Sequence, residues 1–201
     1  MSQPSATAVP RIAPAAAPLS PALTQRLSRL LPPSLPPPQL FLTVARNEGL
    51  FNFMVDSGWL GQSGLLDRRH LPRPLREALI LRTCTASRNG YEFNLHEQTI
   101  SRAMGLSDAQ IESLRNAPPG WPQPDAAALW TDAELAALRL VDALVSRLDL
   151  DDAGFDELRL HHGEAEIVEM TLLIGVYTGV AMLVAVARPA WDDYRPWLAR
   201  S

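Results

Sequence analysis

The stretch Arg76-Glu-Ala-Leu-Ile-Leu-Arg-Thr-Cys-Thr-Ala-Ser-Arg-Asn-Gly-Tyr-Glu-Phe-Asn-Leu-His-Glu97 holds two helical patterns on either side of an Asn89-Gly90 break. The first runs from Leu75 to Arg88 and buries Leu75, Leu79, Ile80 and Cys84, with Pro72 and Pro74 suited to its first turn. The second runs from Tyr91 to Met104 and closes at Gly105, a residue that takes the left-handed cap easily. Glu92 and His96 are four apart, so on a helix they share a face, one turn above the other. A break this short makes the two helices antiparallel neighbours and brings Glu77 back toward His96. Two carboxylates and an imidazole between helices suit proton transfer, metal binding or a buried polar network.

The pattern continues helical outward from this pair. Residues 1–20 are rich in Ala and Pro, offer little to bury and read as mobile. Ala22 to Leu31 is a short amphipathic helix ended by Pro32-Pro33, and Pro36-Pro37-Pro38 is an extended spacer. Leu40 to Val55 has helical apolar spacing, broken by Gly58, Gly61 and Gly64, and Asp67-Arg68-Arg69-His70 forms an arginine-rich connection. Ser107–Gln110 and Thr131–Glu134 are capping boxes, with the Pro118-Pro119-Gly120-Trp121-Pro122 loop between them. Leu135 to Leu148, a short helix from Asp151-Asp152 and a long apolar helix after His161-His162-Gly163 complete the chain. No run alternates like a strand and no repeat is present. The expected fold class is all-α, with one helical domain over residues 21–201.

Composition narrows the function classes. The 201 residues are 47% hydrophobic and 20% charged, ordinary for a soluble globular chain. A net charge of -4 argues against a nucleic-acid partner. All 18 basic residues are arginine, so no lysine is present to form a Schiff base. Cys84 is the sole cysteine, which excludes an internal disulfide, a CxxC pair and a four-cysteine metal site and makes the cytoplasm the default location. Met1 to Ser20 lacks the pattern of a secretory signal. The apolar run Thr171 to Ala187 falls short of the ~20 residues a bilayer span prefers, and Glu164, Glu166, Glu169 and Arg188 bound it. It reads as a helix buried on all sides, at a subunit interface, with no membrane partner.

Each candidate residue also has a structural reading. Asn89 fits an N-cap with Glu92 reaching back to its amide, which leaves Glu92 open between capping and chemistry. His96 is open between a satisfied core histidine and a catalyst, and Glu77 between a site residue and a surface partner for Arg73 or Arg76. Tyr91 is open between packing and a substrate contact. His161, His162, Glu164 and Glu166 do not converge as metal ligands, because adjacent histidines leave a helix in different directions. The aromatic tail Trp191 to Trp197 reads as a packing strap or subunit contact.

Leu71-Pro-Arg-Pro-Leu-Arg-Glu77, Tyr91-Glu-Phe93 and Gly105-Leu-Ser-Asp-Ala-Gln-Ile111 together resemble the carboxymuconolactone decarboxylase and alkylhydroperoxidase-D superfamily. The resemblance spans roughly Pro10 to Trp197 and is strongest from Leu71 to Leu114. It implies an alkylhydroperoxidase-D-like helical bundle that self-associates as trimers or hexamers. The peroxidase branch has a glutamate, a CxxC pair and a histidine four residues after the second cysteine. Glu77 and His96 match the outer two, but the cysteine positions fall on Asn89 and Glu92. Without a peroxidatic and a resolving thiol, that chemistry is argued against.

The decarboxylase branch has a glutamate four residues before the histidine, as Glu92 and His96 are. The resemblance therefore implies a lyase that removes carbon dioxide from a small carboxylated lactone or oxo-acid without a cofactor or metal. In that reading His96 faces the lactone, Glu77 or Glu92 sets its protonation, and Arg82 or Arg88 holds a substrate carboxylate. The long segment before Glu77 and the aromatic tail depart from the decarboxylase proper. Two alternatives stand beside it: a peroxide-linked protein whose thiols come from a partner, and a catalytically silent oligomeric binding scaffold.

Overall fold

The computed structural model describes residues 9–31, 34–60, 70–116 and 128–198. Among the described residues every regular element is a helix, and the chain forms two compact units. Pro32-Pro33, Gly61, Gly64, Asp67-Arg68-Arg69, residues 1–8 and the Pro118–Pro122 loop lie outside the described residues.

The first unit spans residues 69–181. Its helices are α4 (Arg73–Ala86), α5 (Gly90–Thr99), α6 (Asp108–Arg115), α7 (Asp132–Arg147), α8 (Asp152–Arg159) and most of α9 (Glu164–Ala187). Helix α4 is its axis. Leu75 and every residue from Glu77 to Cys84 are buried, so no face of α4 beyond its first turn looks to solvent. A helix buried on nearly all sides is surrounded, and α4 packs against α5, α6 and α7, while α8 packs on α7. Both capping boxes are formed: Ser107 and Thr131 accept from the amides of Gln110 and Glu134, whose side chains accept in return. These reciprocal caps satisfy donors that α6 and α7 would otherwise leave open.

Two boundaries depart from the sequence reading, and both shape the site. The turn between α4 and α5 is made at Arg88, which takes the left-handed conformation (φ 59°), whereas Gly90 is already the first residue of α5. Asn89 bridges the joint: its amide donates to the Cys84 carbonyl at 2.7 Å, and its Oδ1 accepts the Glu92 amide at 3.2 Å. Helix α5 ends at Thr99 rather than Met104, because the amides of Ile100 and Ser101 both turn onto the His96 carbonyl (2.8 and 3.0 Å). The chain then loops to Gly105, whose φ of 101° suits glycine.

The long apolar helix is also different from expectation. Helix α9 has 24 residues, and by length and composition it could cross a membrane. It is not buried on all sides. Glu169, Met170, Leu173, Ile174 and Ala181 are buried, whereas Val168, Leu172, Met182 and Val186 are exposed.

The second unit comprises residues 4–68 and 182–201. It contains α1 (Pro21–Leu30), α2 (Gln39–Val44), α3 (Glu48–Asp56) and the four-residue α10 (Arg195–Leu198). Leu40 to Val55 is two helices, since Asn47 takes the Leu50 amide at 3.1 Å and starts α3 afresh. Leu23, Leu27, Ala45, Phe51 and Val55 form the core, with Phe41 tilted against Phe51. Of the Ala/Pro-rich stretch, residues 9–20 are described, and within it the Ala15 amide donates to the Leu42 carbonyl at 2.8 Å. The aromatic tail straps this unit: the Tyr194 hydroxyl donates to the Pro36 carbonyl at 2.9 Å, and Asp192 accepts the Gln39 amide.

Candidate functional site

Glu77 sits in the second turn of α4, and His96 on α5 faces it across the helix pair. Nδ1 of His96 lies 2.9 Å from Oε1 of Glu77 and 3.2 Å from Oε2, with Glu77 fully buried and His96 nearly so. Ser101, brought inward by the early end of α5, donates its hydroxyl to the same Glu77 Oε1 at 2.7 Å. Glu92, one turn before His96, places Oε1 3.4 Å from Nε2. From α9 the Tyr177 hydroxyl also stands 3.4 Å from Nε2, with its ring edge-on to the imidazole at 5.5 Å between centroids. The imidazole is thus held closely on one nitrogen and loosely on the other.

Electrostatics decide the charge state. Burial alone would depress the His96 pKa, but the charge and hydrogen bond of Glu77, followed by those of Glu92, outweigh it and lift His96 to about 10. Burial likewise pushes Glu77 up, yet His96, Ser101 and Arg76 together hold it below its ordinary 4.5. At neutral pH the pair is imidazolium and carboxylate, so both ring nitrogens carry protons. Nδ1–H donates to Glu77, and Nε2–H is shared between Glu92 Oε1 and the Tyr177 oxygen. Burial, reinforced by Glu92, pushes the Tyr177 phenol well above its ordinary value and keeps it neutral. Glu92 Oε2 is buried and makes no hydrogen bond among the described residues. The capping reading of Glu92 is half realised: Asn89 caps α5, but the Glu92 carboxylate turns to His96 instead of the Asn89 amide.

The structure thus brings Glu77, Glu92 and His96 together. Arg82 is engaged with Asp142 of α7 through two parallel hydrogen bonds of 2.7 Å. Arg88 is exposed on the joint between α4 and α5, and Tyr91 is buried in the core. Two residues went unmarked by the sequence. Ser101 was hidden inside an expected helix, and Tyr177 was the one phenol in an apolar run. Arg76, read from the sequence as a possible partner of Glu77, lowers both Glu77 and Tyr177. Cys84 is fully buried, and burial, then Glu92 and Glu77, push its thiol well above the ordinary value. Among the described residues no group of three or more His, Cys, Asp or Glu side chains is placed to hold a metal ion. Of the adjacent histidines, His161 is exposed and His162 is buried with Nε2 2.9 Å from the Ala133 carbonyl.

Solved structures similar to this chain include the following three. The debrominase Bmp8 in its apo form gives a TM-score of 0.69 at 20% identity, over 94% of this chain and 96% of that one. A cysteine-to-alanine variant of Bmp8 in complex with 2,3,4-tribromopyrrole gives 0.69 at 18% identity, over the same shares. A protein of unknown function from Agrobacterium tumefaciens, described as a candidate antioxidant defence protein AhpD, gives 0.60 at 22% identity, over 75% of this chain and 96% of that one. No family model matches the sequence. No curated protein matches it either.

Proposed function

Taking as premise that the chain has the all-α alkylhydroperoxidase-D-like fold, we propose that it is a cofactor-free, lyase-like enzyme. Its substrate class is a small carboxylated lactone or oxo-acid, and His96 protonates carbon as carbon dioxide leaves. The observation that carries this reading is the asymmetric grip on the imidazolium. Nδ1–H is held at 2.9 Å by a buried carboxylate, whereas Nε2–H faces two oxygens at 3.4 Å and is the proton available for transfer.

The step balances without a cofactor. The bond between the ring carbon and the carboxylate breaks, carbon dioxide departs, and the electron pair enters the conjugated enolate. Nε2–H of His96 then delivers its proton to carbon, and the neutral imidazole is reprotonated from water. Glu77 favours the cationic form before transfer and orients the ring throughout. Tyr177, neutral and a potential donor, is suited to stabilise charge that develops on the enolate oxygen. Asp142 already holds Arg82 by two hydrogen bonds, so a substrate carboxylate would have to compete for it.

A thiol mechanism is not supported. It requires an accessible thiolate, and Cys84 is buried beside two carboxylates that oppose its ionisation. The test is carbon dioxide release from 4-carboxymuconolactone by the purified protein, with His96→Ala and Cys84→Ala in parallel. Turnover lost in the histidine variant and retained in the cysteine variant is expected. Equal turnover in wild type and His96→Ala, or loss in Cys84→Ala with its fold intact, would reject the reading.

A further inference from the structure

His96 engages the polar centre twice. Its ring meets Glu77, and its backbone carbonyl accepts the amides of both Ile100 and Ser101, at 2.8 and 3.0 Å. The second of these bonds reaches one residue further than an α-helix does, so the last turn of α5 widens to the π spacing. That widened turn brings Ser101 inward. The Ser101 carbonyl accepts the Leu106 amide at 3.2 Å, so its backbone is fixed on both sides without help from the side chain. Thr99 shows the usual fate of a hydroxyl here, folding back onto the Leu95 carbonyl at 2.7 Å. Ser101 instead donates to Glu77 Oε1 at 2.7 Å, with both residues fully buried.

A carboxylate facing an imidazole can end the ion pair by taking the proton itself. Burial favours that neutral arrangement, because it removes two charges from a poorly solvated site. The ion pair persists only where the carboxylate has donors enough. Burial pushes Glu77 up, and against it act His96, Ser101 and Arg76. Glu77 in turn raises Cys84 of its own helix and Tyr177 of α9, while Glu92 lies at the other nitrogen of the imidazole. Charges on the remaining neighbours are engaged elsewhere: Asp142 of α7 with Arg82, Asp108 of α6 with Arg102, and Arg115 with Glu97 and Glu112. Of the three groups that favour the Glu77 carboxylate, Ser101 alone carries no charge. Removing its hydroxyl therefore leaves the charge of the site unchanged.

We propose that Ser101 is a positioning residue that anchors the Glu77 carboxylate and keeps the proton of the pair on His96. A hydroxyl that donates to Oε1 leaves that oxygen less able to take the Nδ1 proton, and it restrains the carboxylate from turning away from the ring. Ser101 acts only through Glu77. Its grip on that carboxylate is independent of the reaction, whereas its effect on turnover rests on the lyase reading above.

Two readouts separate the grip from the reaction. The first is the titration of the Glu77 carboxyl carbon in the full chain, followed by nuclear magnetic resonance. Ser101→Ala should raise its midpoint by about one unit, a roughly tenfold change in acidity. The second is turnover of 4-carboxymuconolactone against pH. Its acid limb should move up with the Glu77 midpoint, with KM unchanged. Ser101→Thr, shown by its near-ultraviolet spectrum to be natively packed, keeps the hydroxyl and should return both readouts to wild-type values. Three results would overturn the proposal: an unmoved Glu77 midpoint in Ser101→Ala, a natively packed Ser101→Thr that behaves like the alanine variant, or an active enzyme whose acid limb ignores the change. A midpoint that moves in a chain without turnover upholds the grip on Glu77 and counts against the lyase reading alone.

Discussion

His96 and Glu77 form a buried imidazolium–carboxylate pair, joined at 2.9 Å through Nδ1 and fixed on the acid side by Ser101. Removing one partner of such a pair leaves the other charge buried alone, and that asymmetry makes its role measurable. Glu77→Gln should lower the His96 pKa by well over a unit, read from imidazole resonances during titration. The same change should cost on the order of 3 kcal/mol in denaturant unfolding. A His96 pKa that stays near 10 in this variant would remove Glu77 as its cause.

The pair also predicts how stability follows pH. His96 is raised from 6.5 to about 10 on folding, so its contribution is complete below pH 6.5 and is lost as pH rises toward 10. Glu77 is lowered from 4.5, so its contribution is complete above that value and is lost as pH falls through the folded pKa. Denaturant midpoints should therefore be highest between these windows and fall on either side. His96→Gln should flatten the alkaline fall, and an unchanged alkaline limb in that variant would contradict the assignment.

Tyr177→Phe separates the phenol from its ring. The edge-on packing against His96 survives, so stability should change by no more than about 1 kcal/mol. Turnover should fall with kcat affected more than KM, because a donor to developing charge acts in the transition state. A pure rise in KM would instead make Tyr177 a binding residue.

Arg82→Met should behave as a stability variant. The guanidinium is buried against Asp142, whose carboxylate is 33% exposed, so part of the loss is relieved by solvent. A cost on the order of 2 kcal/mol with KM unchanged is expected. A KM raised tenfold without a stability cost would return Arg82 to the substrate.

Cys84 should be silent. With no exposed surface and its thiol pushed up, it should resist aromatic disulfide reagents in the native state and react at once in denaturant. Stoichiometric native labelling would contradict the burial on which rejection of thiol chemistry rests.

Much of the fold was legible because helical period and capping chemistry are local. Ser107–Gln110 and Thr131–Glu134 announce α6 and α7 by spacing alone, and both boxes form as read. The polar centre was legible for a similar reason: Glu92 and His96 are set by a helical turn, and Glu77 by a short joint. Ser101 and Tyr177 were not, because each depends on tertiary geometry. Ser101 enters only when α5 stops early, and Tyr177 only when a distant helix returns to the site. The pairing of Arg82 was not legible either, because nearness in sequence does not reveal which face of a buried helix a side chain takes; Asp142 lies on another helix. The two-faced nature of α9 was hidden by composition, since an inward and an outward apolar side look alike when no polar stripe divides them.

Arg88 gives the joint between α4 and α5 a mechanical character. A non-glycine residue in the left-handed region costs about 1 kcal/mol, and glycine at the same place would relieve that cost at the expense of a looser chain. The arginine narrows the backbone choices at the one point where the two site-bearing helices are linked. It makes the connection a strut instead of a swivel, so the gap between acid and imidazole is set by the skeleton and not left to the side chains to find.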